Sequence, residues 1–159
     1  MFSFAAKYGG IGAAITIIMT LLTFMLDVQL PSWIGIGVML GVLIWGQLAY
    51  RKSSELGISY GETFGLGILI LLVLAVLSSV YTALHWGLID PEMGARVLAQ
   101  GEEALRQQGI SGAQLDSAMD VQKMMMGPII TPIIGLFTSM LMGTVMALIT
   151  SIFTRKAAD

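Results

Sequence analysis

The chain has no cysteine, one histidine and four prolines in 159 residues, and only 11% of its residues are charged. Without cysteine there are no disulfides, no thiolate metal ligands and no thiol nucleophile. A single histidine, His85, cannot assemble the three or four nitrogen and sulfur ligands that a zinc site needs. The low charge excludes more. Soluble domains carry about 25% charged residues, and a water-soluble chain with 56% hydrophobic residues could not cover its own surface with polar groups. The net charge of −2 gives no footing for a nucleic-acid partner.

What is present in quantity is apolar sequence, with a mean hydropathy of +0.85. A spanning helix needs about 20 predominantly apolar residues. Four stretches meet that: Tyr8 to Leu26, Trp33 to Tyr50, Phe64 to Leu84 and Ile129 to Phe153, none with an acidic or basic residue inside it. Backbone groups in lipid must pair within their own segment, so these stretches are helices. With their flanks the spans are placed at about 8–29, 32–51, 60–88 and 128–154. The sequence thus predicts an all-α membrane protein, one four-helix transmembrane domain over 1–159. The first run lacks a small-x-small cleavage site and is read as a retained helix.

Orientation follows from lysine and arginine in short loops. Lys7, Arg51, Lys52, Arg155 and Lys156 fall on one side; Arg96, Arg106 and Lys123 fall on the other, diluted among six acids. Both termini and the 51–62 loop are therefore expected in the cytoplasm and the 90–126 segment outside it.

That outer segment reads as two short amphipathic helices. Asp90-Pro91-Glu92 offers an N-cap, a proline at the first position and an acid in the first turn. Glu92 with Arg96 and Glu102 with Arg106 are i,i+4 pairs, and Gly109 stops the helix. Ser111 with Gln114 forms a capping box for a second helix. Its apolar positions are Leu115, Ala118, Met119, Met125 and Met126. Pro128 suits a helix start, and Pro132 is placed to kink the first turn of the last span.

The last span holds the clearest pattern. Thr131, Gly135, Ser139, Gly143, Ala147 and Ser151 recur at every fourth position, which makes a groove where another helix can approach closely. Gly37 with Gly41, and Gly61 with Gly65, repeat that spacing once each. Packing within the bundle and an oligomer interface both use such a groove. Three polar residues are candidates for function. Glu62 stands at the start of the third span, either at the cytoplasmic interface near Arg51 and Lys52 or deeper as a proton relay. Gln47 lies inside the second span, where an interhelical hydrogen bond is the default. His85 follows the third span beside Trp86, as an outer-interface residue. The methionines from Met119 to Met146 read as adaptable apolar packing rather than Cu(I) ligands. No catalytic, cofactor or metal site is expected.

Lys7-Tyr8-Gly9, Ile58 to Phe64, Ile89-Asp90-Pro91-Glu92, Gln107 to Ser111, Met124 to Pro128 and Thr154-Arg155-Lys156 come in an order and spacing that resembles the domain-of-unknown-function 4199 family of bacterial four-helix membrane proteins. The resemblance covers essentially the whole chain. It implies the same fold and carries no activity, cofactor or catalytic residue. The leading expectation is a non-enzymatic protein acting by association, as an accessory subunit or a homo-oligomer, with membrane lipid and a membrane-protein partner as its neighbours. A small transporter or channel with Glu62 and Gln47 on its path is the alternative. A role in lipid-linked glycan synthesis is the second, with Asp90, Glu92, Asp116 and Asp120 as the acids available to it.

Overall fold

The computed structural model describes residues 1–26, 28, 30–54, 57–127 and 129–155. Six α-helices are seen among them: α1 (Phe2–Leu26), α2 (Ser32–Ser53), α3 (Tyr60–Leu84), α4 (Met93–Gln107), α5 (Ala113–Met125) and α6 (Ile130–Thr154), with a π-helical turn at His85–Ile89. Four of these segments are long and apolar enough to cross a membrane: Phe2–Leu26, Trp33–Ser53, Tyr60–Ile89 and Ile130–Thr154. α1 begins well before residue 8, because the lone Lys7 side chain does not interrupt an otherwise apolar helix. Lys156 and Pro128, which carry part of the orientation and helix-start readings, lie outside the described residues.

The contacts group into two compact units, Met1–Ser78 with Leu136–Asp159, and Ser79–Gly135. α3 and α6 contribute residues to both. In the first unit the core is Ala5 and Tyr8 from α1, Met39, Val42 and Leu43 from α2, Leu66, Ile70 and Leu71 from α3, and Ala147 from α6. Within their most apolar windows α3 is 39% buried, against 17% for α1 and for α6. α3 is therefore the central helix, and most of the apolar surface of the others is left for lipid. Hydroxyls within the spans bond back to their own helix: Thr16 to the Gly12 carbonyl, Thr20 to that of Thr16, Thr23 to that of Met19 and Thr144 to that of Met140. Each donor is thus satisfied where water is absent.

Close approach of the helices rests on particular glycines. A Cβ at Gly9 would stand 2.7 Å from the Ile70 carbonyl oxygen and 2.7 Å from Val73 Cβ. One at Gly12 would meet Leu74 at 2.6 Å, and one at Gly46 would meet Ile70 at 2.5 Å and Tyr8 Cβ at 3.2 Å. These glycines let α1, α2 and α3 touch backbone to side chain. On the same side of α1 and α2, Tyr8 packs edge-on against Trp45 and Phe4 against Tyr50.

The second unit departs from the expected capping. α4 starts at Met93, and neither the Asp90 nor the Glu92 side chain caps it. The buried Asp90 carboxylate instead accepts from Arg96, so Arg96 pairs with Asp90 rather than with Glu92. A buried carboxylate gains more from a guanidinium than from one backbone N–H. Glu102 and Arg106 do pair, at 2.6 Å. Gly109, at φ 81°, ends α4. Its N–H donates to the Arg106 carbonyl and that of Ile110 donates to Leu105, the paired bonds of a Schellman ending. Ser111 and Gln114 form no capping box; the residue before α5 is Gly112, at φ 59°, without a side-chain cap. With Gly112 at the cap position, Ser111 stands one residue too early to cap α5.

Candidate functional site

The densest polar assembly lies inside the first unit, built on Gln47 of α2. Gln47 is fully buried, as is Ser151, with Thr63, Thr150 and Thr154 nearly so. The Gln47 Nε2 amide donates to the Thr63 carbonyl oxygen at 3.3 Å and to Ser151 Oγ at 3.1 Å. Its Oε1 accepts from Thr154 Oγ1 at 3.1 Å. Ser151 in turn donates to the Ala147 carbonyl at 2.6 Å, and the single Thr154 hydroxyl hydrogen is shared between Gln47 Oε1 and the Thr150 carbonyl at 2.8 Å. The amide orientation follows from this: a Ser151 hydrogen committed to Ala147 leaves a lone pair for an N–H, and a backbone carbonyl can only accept. Both amide donors and the amide oxygen are engaged, across three helices.

The space for the cluster comes from Gly67 of α3. A Cβ there would lie 2.9 Å from Gln47 Nε2 and 3.1 Å from Ala147 Cβ. A turn earlier on α6, a Cβ at Gly143 would meet the Leu71 side chain at 2.7 Å. Gly143, Ala147 and Ser151 are therefore the buried part of the four-residue ladder, facing Leu71, Gly67 and Gln47 in turn. The ladder does not continue as one surface. Ser139 is half-buried, Gly135 has no described atom within 4 Å of its Cβ position, and the Thr131 hydroxyl accepts from the Gly127 N–H at 3.1 Å. Gly37 and Gly41 are exposed, with no described atom within 4 Å of either Cβ position. Gly9, Gly12, Gly46 and Gly67 carry close contact as Gly143 does, and these four are not marked by four-residue spacing.

Glu62 is exposed at the start of α3 and its carboxylate is occupied. Oε2 accepts from the Ser59 N–H at 2.9 Å and the Ser59 hydroxyl at 2.8 Å, while the Glu62 N–H donates to Ser59 Oγ at 3.2 Å. This is a capping box. The signal was in plain sight as Ser59-x-x-Glu62, directly before an apolar run. His85, in the second unit, is buried in the π-helical turn, with Nδ1 3.0 Å from the Tyr81 hydroxyl. The turn closes through the Asp90 N–H, which donates to the His85 carbonyl at 2.8 Å.

Chemically the Gln47 cluster is neutral. An amide and aliphatic hydroxyls do not exchange protons near neutral pH, so the cluster orients helices rather than moving charge. Among the described residues no three of histidine, cysteine, aspartate or glutamate stand close enough to hold a metal ion.

No curated protein and no solved structure matches this chain. One family model does, described as "Protein of unknown function (DUF4199)", over residues 7–156. The matched stretch takes in the first apolar span from Lys7 onward, the other three whole, the Gln47 cluster and the Ser59–Glu62 cap, and the chain belongs to this family.

Proposed function

We propose that this chain is a non-enzymatic multi-pass protein of the bacterial inner membrane that acts by association, as an accessory subunit or a homo-oligomer. Both termini are cytoplasmic in this reading, and the 90–126 segment is outside. Lys7, Arg51, Lys52 and Arg155 support that orientation.

One observation carries the association reading: the outer face of α2. Trp33, Gly37, Gly41, Ile44 and Leu48 fall on one side of that helix and all are exposed. The two glycines open a notch between larger side chains. Flexible lipid tails gain little from such a notch, whereas a second helix gains backbone-level contact. The exposed face of α6 is different in kind. Phe137, Leu141, Val145, Leu148 and Ile152 line it, with bulk suited to lipid.

No observation favours a transport path through Gln47 and Glu62, whose polar groups are taken up by the buried cluster and by the α3 cap. Among the outer acids, Asp90 is paired with Arg96. The test is extraction from native membranes into polymer discs followed by native mass spectrometry. A homo-oligomer or a defined complex is expected, and Gly37→Leu with Gly41→Leu should release the monomer. A wild-type chain found only as a monomer would overturn the reading.

A further inference from the structure

The α4–α5 hairpin has one wet side and one apolar side. On α4 the residues Arg96, Gln100, Glu103 and Gln107 form an exposed stripe, while Val97, Leu98, Gly101 and Leu105 on the opposite face are half-buried. That inner face meets α5, where a Cβ at Gly101 would run into the Gln122 side chain. α5 buries Leu115 and Met119, yet it has a second apolar face. Val121, Met124 and Met125 are 53%, 75% and 54% exposed. They share an arc of about 100° that contains no charge. Asp116, Asp120 and Lys123 are gathered on the other flank, within about 60°.

The end of α5 is tied to the mouth of a membrane span. The Thr131 hydroxyl, in the first turn of α6, accepts from the Gly127 N–H and donates to the Met125 carbonyl at 3.4 Å. The Thr131 N–H donates to the Gly127 carbonyl. That first turn is itself apolar and open: Ile129, Ile130, Ile133 and Ile134 are all exposed. A 25-residue α6 is about 37 Å long against a hydrocarbon core of about 30 Å, so its ends reach the headgroup layer.

The geometry points to α5 as an interfacial helix that sinks its Val121, Met124 and Met125 face into the headgroup–acyl boundary of the bilayer. Its occupant is lipid, because this face continues into the lipid-exposed first turn of α6. Its charges sit on one flank, where they stay hydrated while the methionines are immersed. The segment from Asp90 to Lys123 carries six acids and three basic residues, so apolar burial, not attraction to anionic headgroups, holds the helix down.

The absence of cysteine allows unique labels. An environment-sensitive fluorophore is placed on the full chain at M124C, at V121C, at D116C and at E103C, each in vesicles of phosphatidylethanolamine and phosphatidylglycerol. Labels at positions 124 and 121 should be quenched by a shallow acyl-chain nitroxide at least about threefold more than those at 116 and 103, with the order reversed for aqueous iodide. Equal access of iodide to all four would mean that α5 stands in water. Shielding of 124 and 121 from both quenchers would mean that protein covers the face. Either result overturns the proposal.

Discussion

Gln47 and Ser151, 104 positions apart in the chain, meet across 3.1 Å with no exposed surface on either. This bond, with those to Thr63 and Thr154, fixes α2, α3 and α6 in one register at one depth. Replacing Gln47 by Leu keeps the volume and removes the amide. The hydroxyls of Ser151 and Thr154 retain their bonds to Ala147 and Thr150, so the loss is modest. Unfolding in mixed micelles should show a decrease of about 0.6–1.7 kcal/mol. A cycle pairing Gln47→Leu with Ser151→Ala should show clear coupling, and additive losses would mean that the cluster does not act as a unit.

Gly9 and Gly10 are neighbours with opposite tolerances. At Gly9 a Cβ meets the backbone oxygen of Ile70, which cannot turn aside, whereas at Gly10 no described atom lies within 4 Å. Gly9→Ala should destabilise by about 1–3 kcal/mol through overpacking. Gly10→Ala should be neutral or slightly stabilising, because alanine restricts the unfolded chain. Thermal unfolding in detergent separates the two.

The same contrast holds between Gly67 and Gly41. Gly67→Ala should raise the amide exchange rate around Gln47 and Ser151, since its methyl would press on Gln47 Nε2 and Ala147 Cβ. Gly41→Ala should leave exchange in these segments unchanged. Hydrogen exchange read by mass spectrometry is the measurement.

The cap on α3 can be dissected by hydrogen exchange too. Ser59→Ala removes the hydroxyl that bonds both the Glu62 carboxylate and the Glu62 N–H, and faster exchange is expected at the first amides of α3. Glu62→Gln keeps an acceptor oxygen in place and should preserve most of the protection. Loss of protection in Glu62→Gln as large as in Ser59→Ala would mean that the carboxylate charge matters to the cap as much as the hydroxyl does.

Gly109 ends α4 at φ 81°, a conformation that costs an L-residue about 1–2 kcal/mol. Gly109→Ala should loosen the α4–α5 connection by that amount, and Gly109→Asn by less, because asparagine tolerates the left-handed region. Protease nicking between α4 and α5 should rank the variants in that order.

The local readings that succeeded and failed share a logic. Glu102 with Arg106 forms as spaced, because both partners sit on one helix and nothing else competes for them. Asp90 was legible as a cap, but Arg96 takes its buried carboxylate, a competition decided only once the backbone turns between them. Glu62 was legible as an interfacial residue, but its partner is Ser59, three residues before it, rather than Arg51 or Lys52.

The sequence by itself determined that four segments are apolar enough to span a bilayer and that two shorter helices lie between the third and the fourth. Those properties are local: they depend on transfer of side chains from water and on hydrogen bonds within one segment. Only the tertiary structure decided which small residues carry contact. A four-residue spacing marks a face but not what lies opposite it. Gly143 and Ala147 were therefore indistinguishable from Gly37 and Gly41 until Leu71 and Gly67 stood against the first pair and nothing described stood against the second. The Gln47 cluster was likewise beyond the sequence, because its partners come from three helices and meet only when the bundle closes.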